Sequence, residues 1–541
     1  MSDLLPLPVL LPLLGAALTL ALRRHAMLQR TVAFTVLVAQ VVTAVALMLV
    51  THEQGPQALW LGAWDEPLGI VLVADRLSAL MLLVSSAVCL LVLVYAIGQG
   101  VSDGDEDSPL AIYFPTYLVL SAGVSNAFLA GDLFNLFVSF EMLLFSSFVL
   151  LTLGGQGPRI RAGTTYVIVS VVSSMLFLVT IAAVYAATGT VNLAQLALRL
   201  PEIDGTVALA LQLSLLIVFG IKAAIFPMSA WLPDSYPSAP APVSAVFAGL
   251  LTKVGIYAIL RTETLLFPGS DLGDLLMVLG LATMVTGILG AVAQSGIKRM
   301  LSFTLVSHIG FMLFGVGLGS EAGLSAAIFY IAHHITVQTA LFLVSGLIER
   351  VGGSTVLDRL GGLASRSALL AVLFFVPAMN LAGIPPFSGF VAKTGLIQAG
   401  VADGGAVAWT LVAGSIVTSI LTLYAVTKAW SAAFWRPAPQ EQGEASVIPT
   451  GIIEPSLGRL SDAVGHGVLA AREAPVRPAE DEDGSDGRIP RLMLGATTAV
   501  VVLSVVLSLA GGPLFEYTDS AAWQMTSRGS YLEVVLPEEV R

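Results

Sequence analysis

Residues 220–261 read GIKAAIFPMSAWLPDSYPSAPAPVSAVFAGLLTKVGIYAILR, and this stretch decides the kind of chain. Two apolar runs flank a segment broken by Pro227, Pro233, Pro237, Pro240 and Pro242. Each run carries one lysine, Lys222 and Lys253, expected near the middle of its helix. A lysine inside a membrane-length helix is unfavourable by roughly 2.5–3.5 kcal/mol on insertion scales, so it faces a bundle interior or a wet cavity. Proline in the same region frees backbone carbonyls, which membrane depth tolerates only where protein or water satisfies them. Two buried lysines beside a broken helix point to an ion or proton path.

The composition agrees with that setting. The 541 residues are 56% hydrophobic and 11% charged, with mean hydropathy +0.88, whereas soluble domains carry about 25% charged residues. The expectation is an all-α polytopic membrane protein. The net charge of −11 comes partly from Asp103–Asp107 and Glu480–Asp486, and it argues against nucleic-acid binding, which needs a basic face. Cys89 is the single cysteine, which excludes a disulfide framework or cysteine metal site. The run Leu4–Leu22 lacks a basic leader and a small-residue cleavage site, so it reads as a retained helix.

Runs of about 20 apolar residues can each cross the roughly 30 Å hydrocarbon core. They fall near 4–22, 31–50, 77–97, 109–130, 132–153, 163–187, 206–227, 241–260, 273–293, 299–318, 323–348, 367–398, 407–432 and 492–513, about fourteen spans. The run 367–398 is too long for one straight span and contains Gly383-Ile384-Pro385-Pro386, so a second broken helix is expected there. Arg23, Arg24, Arg30, Arg159, Arg161, Lys298, Arg299, Arg350, Arg359 and Arg366 fall in loops on one side if the spans alternate. Arg76, Arg199 and Arg261 are left for the other side. The positive-inside rule then puts both termini outside. Residues 436–490 are rich in Pro, Gly, Glu and Asp and read as a disordered cytoplasmic linker before the last helix. Asn192–Arg199 reads as a short amphipathic surface helix.

Glu141 is the only acidic residue expected deep in a span; Lys222, Lys253 and Lys393 are the buried bases, and His308, His333 and His334 the imidazoles. A lysine whose carboxylate partner can move away is a switchable proton carrier, and histidine titrates near neutrality with little tuning. Plainer readings stand beside these. Glu141 and Lys222 can be a static ion pair, Lys393 can snorkel to an interface, and His308 can simply bond a backbone carbonyl. His333 and His334, adjacent on a helix, point about 100° apart, so only His334 is expected on the path. Asp132 reads as a helix cap, and Asp234 as a cap, a turn or a relay. Gln338 and Asn380 are further candidates for relay or water binding, and Pro227, Pro385 and Pro386 mark the helix breaks. No phosphate loop or dinucleotide fingerprint occurs, because the glycine cluster at 315–323 follows a membrane helix rather than a strand. No histidine spacing suits zinc or haem, so no metal, cofactor or enzymatic role is expected.

AGDLFNLFVSFEMLLFSSFVLL, AWLPDSYPSAPAPVSAVFAGLLTKVGIYAILR and NLAGIPPFSGFVAK resemble the antiporter-like subunits shared by respiratory complex I and Mrp-type Na+/H+ antiporters. GDLFNLFVSFE with WLPDSYPSAP is most similar to the D-subunit branch, and the resemblance covers roughly residues 70–430. It implies a fourteen-helix subunit with two inverted five-helix repeats, helices 4–8 and 9–13, and broken helices 7 and 12. The corresponding segments are three N-terminal helices in 1–108, repeats in 109–260 and 261–435, and a last helix with its tail in 491–541. It also implies that Glu141 pairs with Lys222, that Lys253 and Lys393 are the lysines of helices 8 and 12, and that His308 and His334 lie on a polar central axis. Gln338 stands where related subunits often have lysine.

The expected function is proton translocation within a multisubunit monovalent cation/proton antiporter of the bacterial plasma membrane. Its partners would be other membrane subunits, H+, Na+ (or K+ or Li+) and the lipid bilayer. Protons would enter near Lys253, exchange with Glu141–Lys222 and pass by His334 and Lys393. A proton-pumping subunit of complex I or a related hydrogenase is the nearest rival, and a structural membrane scaffold is a rival of another class.

Overall fold

The computed structural model describes residues 2–64, 69–100, 112–155, 157–437 and 489–537. The expected linker therefore lies almost wholly outside the described residues. The chain opens with α1 (Leu7–Ala21), α2 (Ala26–Gln54) and α3 (Arg76–Gln99), then α4 (Tyr113–Leu129), α5 (Leu133–Thr152), α6 (Gly157–Thr188) and the short α7 (Leu193–Arg199). After α8 (Gly205–Ala223) come α9 (Trp231–Ser235), α10 (Ala241–Val246) and α11 (Thr252–Leu265). They are followed by α12 (Gly273–Ala293), α13 (Ile297–Leu318), α14 (Glu321–Gly352), α15 (Leu363–Arg366), α16 (Ala368–Ala382), α17 (Ser388–Asp403) and α18 (Ala406–Trp430). α19 (Arg491–Leu509), α20 (Gly511–Ser527) and α21 (Gly529–Val535) complete it. Among the described residues eleven helices are long and apolar enough to cross a membrane, with α10 and α11 counted as one; α1 and α16 are apolar but shorter.

Burial sorts these helices by what they can carry. The membrane-length windows of α14 and of Ala241–Leu265 are 100% buried, whereas those of α2, α18 and α19 are 33% buried. An outer helix meets lipid and must be apolar, as exposed Leu14, Met175 and Val179 show. A central helix meets only other helices, so polar side chains there can find partners. α14 packs against α3, α10, α13, α16, α17, α19 and α20 and is the axis of the molecule. Small residues allow close crossings: a Cβ at Gly310 would meet Gly280 O, and one at Gly255 would lie 2.8 Å from Ala223 N.

Both expected helix breaks are present and share one local pattern at an offset of 159 residues. α8 ends with Ala224 in the left-handed region (φ 60°), and α16 ends with Gly383 likewise (φ 86°). Each end is closed by the same bond, from Ile225 N to Gly220 O at 2.9 Å and from Ile384 N to Met379 O at 3.1 Å, a common way to stop a helix. Phe226–Pro227 and Pro385–Pro386 are both cis.

Several expectations are corrected. Lys222 lies in the last turn of α8 rather than mid-helix. Leu193–Ala197 of α7 are buried, so this helix packs into the body instead of lying on the surface. Arg261 is not a loop residue but sits inside α11, buried against Asp75 at the N-cap of α3. The all-α expectation omitted a small antiparallel hairpin, β1 (Gln57–Trp60) with β2 (Val71–Ala74), in register Gln57 to Ala74. The expected last helix is followed by two more, α20 and α21.

Candidate functional site

The first break presents Lys222. A helix C-terminus leaves carbonyls without partners and carries the negative end of the dipole, so a cation is favoured there. Lys222 Nζ donates to Ser170 O at 3.3 Å and Ser174 Oγ at 3.1 Å on α6, and lies 5.5 Å from the Phe140 ring centre. The expected Glu141–Lys222 contact is not an ion pair. Glu141 Oε1, on α5, is buried without a hydrogen-bond partner among the described residues. Lys222 also lines a cavity with about 30 Å³ of water-accessible space.

Lys253 follows a π-turn, Phe247–Leu251, that joins α10 to α11. Such turns leave a carbonyl out of the regular ladder, and Lys253 Nζ donates to one of them, Ala248 O. The Gly255–Ala223 crossing brings α11 against the end of α8 beside Lys222. The π-turn in turn abuts α14, where a Cβ at Gly249 would collide with Thr339 Oγ1.

The imidazoles cluster where α13 meets α14. The His308 and His334 rings are 5.1 Å apart, and His308 Nδ1 shares a 2.6 Å hydrogen bond with Tyr330 Oη. His308 Nε2 and both ring nitrogens of His334 are without partners among the described residues. His333 Nδ1 lies 2.9 Å from Ser388 Oγ at the start of α17, at the second break. Asn380 Oδ1 accepts from Gly389 N at 2.9 Å and tethers the same break. Gln338 Nε2 donates to Leu301 O at 2.7 Å, tying α14 to α13.

Lys393 stands at the second break rather than snorkelling. It is buried, and its Nζ donates to Leu381 O and Ala382 O, both at 3.0 Å. The same amine lies 4.9 Å from the Phe311 ring centre, and Phe311 stacks on Tyr330 at 5.4 Å. Asp234 lies apart, in an exposed 2.8 Å ion pair with Arg299. Asp132 caps α5, accepting from Asn135 N at 2.6 Å.

The structure thus places Lys222 and Lys393 at the two helix breaks, Lys253 at the π-turn, and His308 beside His334 where α13 meets α14, and each amine is held by carbonyl or hydroxyl oxygens. Sequence reading missed Ser170, Ser174, Tyr330 and Ser388. Of these only Tyr330, three residues before His333 in an apolar helix, carried a visible signal.

The family model described as NADH:quinone oxidoreductase/Mrp antiporter, TM, matches residues 130–422. The chain is 36% identical over 542 residues to the Na(+)/H(+) antiporter D subunit of Alkalihalophilus pseudofirmus, covering 99% of this chain and 100% of that one. It is 37% identical over 438 residues to the Na(+)/H(+) antiporter D subunit of Bacillus subtilis, covering 80% and 87%. Among solved structures, a chain of the Mrp complex from Dietzia sp. DQ12-45-1b superposes with a TM-score of 0.83 at 33% identity, covering 99% of this chain and 100% of that chain.

Proposed function

The chain belongs to the NADH:quinone oxidoreductase/Mrp antiporter family, and we propose that it is the proton-translocating D subunit of a Na+/H+ antiporter whose route is the buried row Lys222, Lys253, His334, His308 and Lys393. The observation that carries this reading is a pair of amines at two helix breaks with unpartnered imidazoles between them. Protons enter near Lys253, exchange with Lys222, and pass by His334 and His308 to Lys393. Glu141, not bonded to Lys222, is the carboxylate whose approach or withdrawal decides whether that amine holds its proton. A charge on one member raises the energy of charging its neighbour, so the row passes protons in steps.

The pattern shared by the two breaks supports two inverted five-helix repeats, helices 4–8 and 9–13, within fourteen spans. The relatives' names support work as one subunit of a Na+/H+ antiporter complex, which on this reading lies in the bacterial plasma membrane and exports Na+ as protons enter. The Lys/Arg loop asymmetry supports termini on the outer side.

The test is ΔpH-driven Na+/H+ exchange in everted vesicles holding the whole complex. Lys222→Ala in a fully assembled complex is expected to lower exchange by roughly tenfold or more. Exchange equal to the native complex would reduce Lys222 to helix packing and favour the scaffold reading.

A further inference from the structure

At each helix break a backbone amide donates to a hydroxyl on another helix. Phe226 N, four residues after Lys222, donates to Thr283 Oγ1 of α12 at 3.1 Å. Ser388 N, five residues before Lys393, donates to Ser508 Oγ of α19 at 2.8 Å. The two hydroxyls are set in the same way. Thr283 Oγ1 donates to Leu279 O at 2.6 Å and Ser508 Oγ to Ser504 O at 2.9 Å, each four residues back on its own helix. A hydroxyl has one proton and two lone pairs, so with the proton engaged on its own helix each turns a lone pair to the break. Ser388 opens α17, where Phe387 supplies no side-chain cap, and the first amides of a helix have no partner inside it. Ser508 accepts from one of them and Asn380 Oδ1 from the next, Gly389 N. The start of α17 has no room to slide, since a Cβ at Gly389 would collide with Asn380 O and lie 3.0 Å from His333 Cε1. From that fixed start Lys393 reaches back to Leu381 O and Ala382 O. Ser508 lies beyond residues 130–422, the stretch that the family model matches.

We propose that Thr283 and Ser508 are positioning residues for the two amines, each clamping a helix break from outside and so holding Lys222 or Lys393 at its oxygens. The inference rests on the proton route and the repeats proposed above. α12 and α19 are the ninth and fourteenth of the spans counted in the sequence, and each is the helix that follows a five-helix repeat. The same device therefore serves both repeats, and the last membrane helix is part of the working site. Both hydroxyls act through the backbone and keep their own protons throughout.

The experiment measures ΔpH-driven Na+/H+ exchange by the intact complex in everted vesicles, normalised to assembled complex, beside the melting temperature of that complex. Ser508→Ala and Thr283→Val remove the hydroxyls with little change of size. Each is expected to lower exchange by about tenfold, as misplacing a reacting group does. Ser508→Thr and Thr283→Ser keep the hydroxyl and are expected to match the native complex. Ser504→Ala is the control: Ser504 is also buried on α19, but its hydroxyl bonds Val501 O of its own helix at 2.7 Å, and the variant is expected to exchange at the native rate. Native exchange in Ser508→Ala and Thr283→Val beside a loss in Lys222→Ala and Lys393→Ala, whatever the melting temperatures, overturns the clamps and leaves the route intact. A loss in only one of the two clamp variants overturns the shared device. So does an equal loss in Ser504→Ala, or failure of Ser508→Thr and Thr283→Ser to restore exchange. Native exchange in Lys222→Ala and Lys393→Ala overturns the route and the clamps with it. If a variant without the hydroxyl does not assemble, Ser508→Cys or Thr283→Cys takes its place, since a thiol is of similar size and its sulfur accepts only weakly. Lowered exchange there supports the clamp, and native exchange overturns it.

Discussion

Asp132 caps α5 by accepting from the Asn135 amide, yet it is only 4% exposed. Burial pushes its carboxyl up to about 6, against the pull of the backbone amides of Asn135 and Phe134. In the unfolded chain an aspartate titrates near about 3.9, so between these values the folded state holds more protons. The stability contributed by protonated Asp132 is full below the lower value and is lost as pH rises through the upper one. Asp132→Asn keeps an N-cap acceptor and removes the titration. Its melting temperature is expected to lie above that of the native complex at pH 7 and to fall less from pH 4 to 6, read by thermal unfolding. Superimposable curves would contradict this. Residue types were legible in the sequence, Asp132 as a cap and Lys222, Lys253 and Lys393 as buried amines. Their partners were not. Lys222 bonds Ser170 and Ser174 on α6 rather than Glu141, a pairing set by how α8 packs against α6.

At the scale of elements, Asp75 and Arg261 clamp α3 to α11. The guanidinium donates to both carboxylate oxygens, at 2.6 and 2.9 Å, and to Tyr257 Oη at 3.1 Å, while Tyr531 of α21 covers it at 5.4 Å. Breaking a buried pair from one side strands a charge, which destabilises by about 3–5 kcal/mol, whereas replacing both partners can be nearly neutral. Arg261→Met is therefore expected to lower the melting temperature or assembly yield sharply, and adding Asp75→Asn to recover most of it. Equal losses in the single and double variants would refute the clamp. Proline made the two broken helices legible. The π-turn was not, since its FAGLL sequence reads as ordinary helix. α20 escaped because its apolar residues are interleaved with Glu516, Asp519 and Ser520, and only packing against α3 and α14 buries its inner face.

At the scale of the molecule, high hydropathy with few charges made a polytopic helical bundle legible, and the long motifs made the family legible. Which helices are central was not. α14 carries His333, His334 and Gln338 and its membrane-length stretch is wholly buried, while α6, an apolar helix of about the same length, faces outward along much of its length. His334 lies in that enclosed stretch, and both its ring nitrogens are without hydrogen-bond partners among the described residues. A continuous proton route through the middle of the molecule is the central claim, and His334 is its midpoint. The most direct test is ΔpH-driven Na+/H+ exchange in everted vesicles by the assembled complex carrying His334→Leu, which fills the same apolar surroundings without a titratable group. Exchange is predicted to fall by roughly tenfold or more with assembly unchanged. Exchange at the native rate would contradict the route.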